Sequence, residues 1–167
     1  NAPATTEIYT AGHSSAASDV YKRQVVLRVI AKLFFPLILL FALYVQFHGD
    51  YGPGGGFQAG VIFATGVILY ALGFGLGNAQ RLIPHKLLSI MAAIGVIIFA
   101  AVGIESMLLG GKFLEYRVLA DDPVTGQHLG ILLIELGVGI TVAAVILIIY
   151  YGFVSRRPVA KTRKDVS

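Results

Sequence analysis

Residues 48–60 read HGDYGPGGGFQAG, a turn built from glycine and proline and set between two long apolar runs. Glycine lets backbone lie where a Cβ would forbid it. At the lip of a membrane helix, irregular backbone is tolerated only where protein or a water-filled cavity satisfies its peptide groups. Pro53, Gly54, Gly55, Gly56 and Gly60 are therefore expected to form a re-entrant or tightly packed turn, of a kind that belongs to a transport pathway more often than to a plain anchor.

Outward from this turn, four apolar runs account for most of the chain: 33–47, 57–76, 87–109 and 129–153. At about 1.5 Å rise per residue, each of the last three spans roughly 30 Å, the thickness of a bilayer's hydrocarbon layer. The first reaches that length if 25–31 continues its helix, with Arg28 and Lys32 extending their charged heads to the interface. The expected fold is an all-α membrane protein of four transmembrane helices occupying 25–154, followed by a basic tail, 155–167. No room remains for a nucleotide-binding or catalytic module, and no cofactor is expected. With no cysteine, disulfides and thiolate chemistry are excluded.

The formal charge of +4 does not indicate a nucleic-acid partner, because the basic residues flank the spans. Lys22, Arg23, Arg28 and Lys32 precede the first. Arg81 and Lys86 lie between the second and third, and Arg156, Arg157, Lys161, Arg163 and Lys164 follow the fourth. Only Lys112 and Arg117 lie elsewhere. The positive-inside rule then puts both termini and the 77–86 loop in the cytoplasm, and the 48–56 and 110–128 loops outside. Residues 1–24 are polar and lack periodicity. SSAASDVYKRQ looks like translated adapter read-through, so this segment is expected to be a disordered extension outside the fold.

Helices in lipid associate through close packing, and small residues four apart let backbones approach. Gly56, Gly60 and Ala64 form one such row on the second span. Gly139 and Ala143 form another on the fourth, beside Gly137 and Thr141. These rows serve packing within a four-helix bundle, a docking face for other subunits, or both. Tyr44, Tyr51, Tyr116, Tyr150 and Tyr151 fall at span ends, where an aromatic belt is expected.

Charged groups at membrane depth are costly and tend to mark ion or proton routes. Glu135 is the clearest, six residues past Leu129 with apolar or small neighbours on both sides. Burial makes the charged form of a carboxyl group costly, so such a group can hold or release a proton at working pH. The alternative is a neutral side chain bonded to a nearby carbonyl. Glu105, four residues from Leu109 on the third span, is expected either to reach the outer interface or to lie at a depth comparable to Glu135. His48 and Asp50 lie in the turn above, and Asp121, Asp122 and His128 on the same side complete what resembles an acidic vestibule. The GPGGG run lacks the Lys-Ser/Thr of a phosphate loop, and the histidines lack zinc-site spacing, so no metal site is expected.

Two segments, FALYVQFHGDYGPGGGFQAGVIFATGVILYALGFG and HLGILLIELGVGITVAAVILIIY, resemble the B subunit of Mrp-type multisubunit sodium/proton antiporters, the MnhB domain, over about residues 27–151. PGGGFQAG with its upstream HG is the most specific element, and LIELGVG the second. The resemblance implies an accessory subunit, not an enzyme, of a hetero-oligomeric inner-membrane assembly that exchanges Na+ for H+, in which other subunits carry the main proton relays. It leaves two roles open: lining the ion path through Glu135, or packing and assembly alone. MnhB-like subunits also occur in membrane-bound hydrogenases related to complex I, so the host complex stays open too.

Overall fold

A computed structural model describes residues 4–49 and 54–155, with side chains from residue 24 onward. Asp50, Tyr51, Pro53 and the tail from 156 lie outside the described residues. Among the described residues, five helices follow one another: α1 Ala4–His48, α2 Gly56–Phe74, α3 Leu76–Leu82, α4 His85–Leu108 and α5 Pro123–Ser155, with a 3-10 turn, Tyr116–Val118, before α5. Among the described residues, four segments are long and apolar enough to cross a membrane: Gln24–His48, Gly56–Phe74, His85–Leu108 and Pro123–Ser155. The expected four-span, all-α architecture is what the chain adopts.

Three boundaries differ from those expected. α1 begins at Ala4, so residues 4–24 are helical where no structure was anticipated, and 25–31 does extend the first span. The second span stops at Phe74 because Gly75 takes a φ of 93°, a conformation that breaks the helix before α3 resumes. The fourth span starts at Pro123, earlier than expected. Asp122 supplies the reason: its carboxylate accepts hydrogen bonds from the Thr125 amide at 2.9 Å and the Thr125 hydroxyl at 2.8 Å. Asp122 is thus the N-cap, and Pro123 occupies the first helical position, where its missing N–H costs nothing.

α5 is the central post, and its two rows of small residues seat two different neighbours. On one row a Cβ built at Gly60 would lie 2.6 Å from the Gly139 carbonyl oxygen, so α2 runs alongside α5 in the same direction at backbone contact. On the other, a Cβ at Gly137 would lie 2.8 Å from the Gly95 carbonyl oxygen, and α4 passes antiparallel. The Thr141 hydroxyl sits at this crossing and donates to the Gly137 carbonyl at 2.9 Å. Both rows named from sequence therefore serve internal packing. Gly95, on the α4 side, was not singled out from sequence, because it has no small neighbour four residues away to form a row.

α1 leans on the opposite face of α2. Gly66 meets Ile38 and Leu39, and Gly73 meets Ala31, so α1 and α2 form an antiparallel hairpin. The apolar core, Ala64, Val67, Ala71, Ala79, Leu88, Ala144, Leu147 and Tyr151, fills the end of the bundle remote from the glycine turn. Tyr151 departs from the aromatic-belt expectation: it is buried, and its hydroxyl donates to the Ile83 carbonyl at 3.3 Å, satisfying a helix end that would otherwise face an apolar core.

Candidate functional site

Pairing along the helices sets the depth of the glycine turn. Glu135 stands level with the last residues of α1 and the first of α2, whereas α4 and α5 continue past it. By the 1.5 Å rise, α5 begins about 18 Å beyond Glu135, and α4 ends about 14 Å beyond. The turn is therefore recessed behind a taller α4–α5 hairpin. That hairpin is closed by Phe113 against Gly103 and by the Tyr116 ring against Gly130.

In this recess the glycines enclose one side chain. A Cβ at Gly49 would lie 2.5 Å from Glu135 Oε2 and 2.6 Å from Oε1, and one at Gly55 would lie 2.9 Å from Oε1. At Gly56 a Cβ would run into the Glu135 backbone carbonyl. Gly55 has a φ of 115°, which other residues rarely adopt. It returns the chain to α1, with its amide donating to the Val45 carbonyl at 3.2 Å. Gly54 packs over the same carbonyl. The physical reason for the GGG run is now specific: the turn must pass a carboxyl group and a helix backbone at once, and no side chain fits between.

Among the described residues, Glu105, Asp122 and His128 stand outside this recess. Glu105 is exposed on the α4 extension, about 9 Å further out than Glu135 by helix rise and off the face that buries Val102, Gly103 and Ser106. His48, in the last turn of α1, stacks on Tyr44 with ring centroids 5.2 Å apart. Asp122 is committed to capping, and the hydrogen bonds from the Thr125 amide and hydroxyl hold its carboxyl below the usual carboxylate range. His128 is exposed on the first turns of α5. Asp50 and Pro53 lie outside the described residues.

One residue that sequence reasoning passed over joins the site. Gln46 is 6% exposed, and its Oε1 lies against Gly139, one turn along α5 from Glu135; a Cβ at Gly139 would also lie 3.1 Å from the Gly56 carbonyl oxygen. The signal was present as a single amide within the apolar FALYVQF run. Three helices thus converge where an amide, Gln46, and a carboxyl group, Glu135, lie about one turn apart along α5.

The described residues form a polytopic helical bundle in which a glycine turn encloses an ionisable group. Residues 26–148 match the family described as a domain related to the MnhB subunit of the Na+/H+ antiporter, and the chain belongs to that family. Antiporter subunits named mnhB2 from Staphylococcus aureus strains Newman, JH1 and Mu3 are each 36% identical to it over 128 residues, covering 75% of this chain and 90% of theirs. The chain is accordingly a multi-pass cell-membrane protein and an accessory subunit of a multisubunit cation/proton antiporter, with other subunits as its partners.

Proposed function

We propose that this subunit lends the antiporter a proton- or cation-exchanging carboxyl group, Glu135, at the mouth of its α1–α2–α5 junction. The observation that carries this reading is the glycine enclosure: Gly49, Gly55 and Gly56 all approach Glu135 more closely than any side chain could. A bundle needing only compactness would fill the same space with apolar side chains, which pack well and involve no charge cost. A recess walled by α4 and α5 offers a route for ions to that carboxyl group from one side of the membrane. On the charge bias of the loops that side is external, with both termini cytoplasmic. Na+ and H+ are the ions proposed, and the relatives named as antiporter subunits favour an antiporter host over a hydrogenase-type one.

A second reading also has an observation behind it. Glu135 is not without a partner, and a carboxyl group bonded on all sides would be a structural pin in an assembly subunit. Glu135→Gln separates the two, since it keeps shape and hydrogen bonding while removing ionisation. In everted vesicles, with exchange normalised to assembled complex, the transport reading expects a loss on the order of 100-fold or a displaced pH profile. Wild-type exchange and an unchanged profile would reduce Glu135 to a pin.

A further inference from the structure

Gln58, the third residue of α2, is exposed, and its side chain turns back over the start of its own helix. Its Oε1 lies 3.6 Å from the position a Gly55 Cβ would take, and Glu135 Oε1 lies 2.9 Å from that same point. The methyl group that Gly55 lacks would therefore have two side-chain oxygens around it, one from the carboxyl group and one from a neutral amide.

A glutamine at the third position of a helix ordinarily reaches back to accept from the amide of the capping residue. Here that amide is engaged elsewhere, because the Gly55 N–H donates to the Val45 carbonyl at 3.2 Å. Capping thus leaves the placement of the Gln58 oxygen unexplained. A carboxylate and an amide oxygen are both acceptors, so when turned to one place they complement something positive between them.

The helix ends do not say what that is. α1 finishes at His48 and α2 starts at Gly56, so dipole ends of opposite sign meet at the carboxyl group and largely offset one another. The charge count is more informative. One carboxylate with a neutral oxygen balances a single positive charge. Among the described residues, no three His, Cys, Asp or Glu side chains gather as the carboxylate-rich shell of a divalent ion requires. A proton needs only the carboxyl group, whereas a cation that sheds its hydration shell needs further oxygens in exchange.

We propose that Gln58 is a specificity-determining ligand of the Glu135 site: its amide oxygen and the Glu135 carboxylate together hold a monovalent cation that reaches them through the recess. The proposal rests on the reading of Glu135 as the exchanging group and assigns Gln58 to the cation and not to the proton.

The test is the Na+ dependence of exchange in everted vesicles carrying the full complex, normalised to assembled subunit. Gln58→Leu removes the oxygen and keeps the bulk. It is expected to raise the half-saturating Na+ concentration about tenfold, the worth of one contact to a charged group, with the rate at saturating Na+ near native. Gln58→Glu keeps an oxygen in place and is expected to hold half-saturation at or below the native value. Should Gln58→Leu fail to assemble, Gln58→Met, which is closer in shape, is read in the same way. A lowered rate or abundance with half-saturation unmoved would make Gln58 structural and overturn the proposal. If Glu135→Gln loses exchange while Gln58→Leu keeps the native Na+ dependence, the Gln58 assignment fails alone; native exchange in Glu135→Gln would remove the carboxyl reading and this proposal with it.

Discussion

Gly49 and Glu135 share one space: the hydrogen that Gly49 carries in place of a side chain points at the Glu135 carboxyl group, where a methyl group would come within 2.5 Å of Oε2. The end of α1 and the middle of α5, far apart in sequence, are thus fitted to one another by the absence of atoms. Any change that adds atoms at 49 must move the carboxyl group.

Gly49→Ala is accordingly the smallest test of the site. Gly49 has no positive φ, so alanine meets no backbone penalty and the substitution acts through space alone. The complex should assemble at normal abundance while exchange falls, by about 100-fold if the carboxyl group is displaced by about 1 Å. Vesicle exchange assays alongside quantified subunit levels would check this, and full activity would show that Glu135 can swing aside without consequence.

At Gly56 the obstacle is different in kind. A Cβ there meets the Glu135 backbone carbonyl, and a helix backbone cannot rotate away as a side chain can. Gly56→Leu should therefore separate α2 from α5 and remove the chain from the complex, seen as loss of the subunit from purified assemblies. Gly77→Ala is the matched control: nothing lies within 4 Å of its Cβ position, and the substitution should stabilise α3 by about 0.5–1 kcal/mol.

Asp122 gives a pH dependence with a definite sign. Its folded-state pKa is lowered, chiefly by the Thr125 amide and then by the Thr125 hydroxyl. Its contribution to the α5 N-terminus is therefore fully present above the ordinary aspartate value, about 3.9, and is lost as pH falls through the lower folded value. Protection of the Thr125 amide, measured as its hydrogen-exchange rate relative to an unstructured amide at the same pH, should be full at neutral pH and fall only below that range. Asp122→Ala should abolish the protection at every pH, whereas Asp122→Asn should keep much of it without the pH dependence.

The orientation can be checked with reporter fusions. Eleven of the thirteen Lys and Arg residues fall in segments assigned to the cytoplasm or at the ends of spans that adjoin them, so a fusion at Arg81 should report cytoplasm and one at Asp121 the exterior. The opposite pattern at either site would invert the proposed route to Glu135.

Sequence alone determined the membrane class, the four spans and the family, because these follow from hydropathy, length and a glycine motif that are local properties of the chain. It also marked Glu135, since an acidic residue among apolar neighbours is conspicuous without any knowledge of packing. The tertiary structure decided which groups surround it. Glu105 was expected at a comparable depth by its distance from a span end, but α5 begins at Pro123, six residues before the apolar run from which depth was counted, so Glu135 lies about 9 Å deeper. Gln46 looked like one polar residue in an apolar run, and only the convergence of α1, α2 and α5 turned it into a buried amide. Similarly, a row of small residues announces close approach without naming the neighbour. Gly139 took α2 and Gly137 took α4 because a helix turns about 100° per residue, which sets these two glycines about 160° apart on nearly opposite faces, and the loops then determined which helix arrived at each.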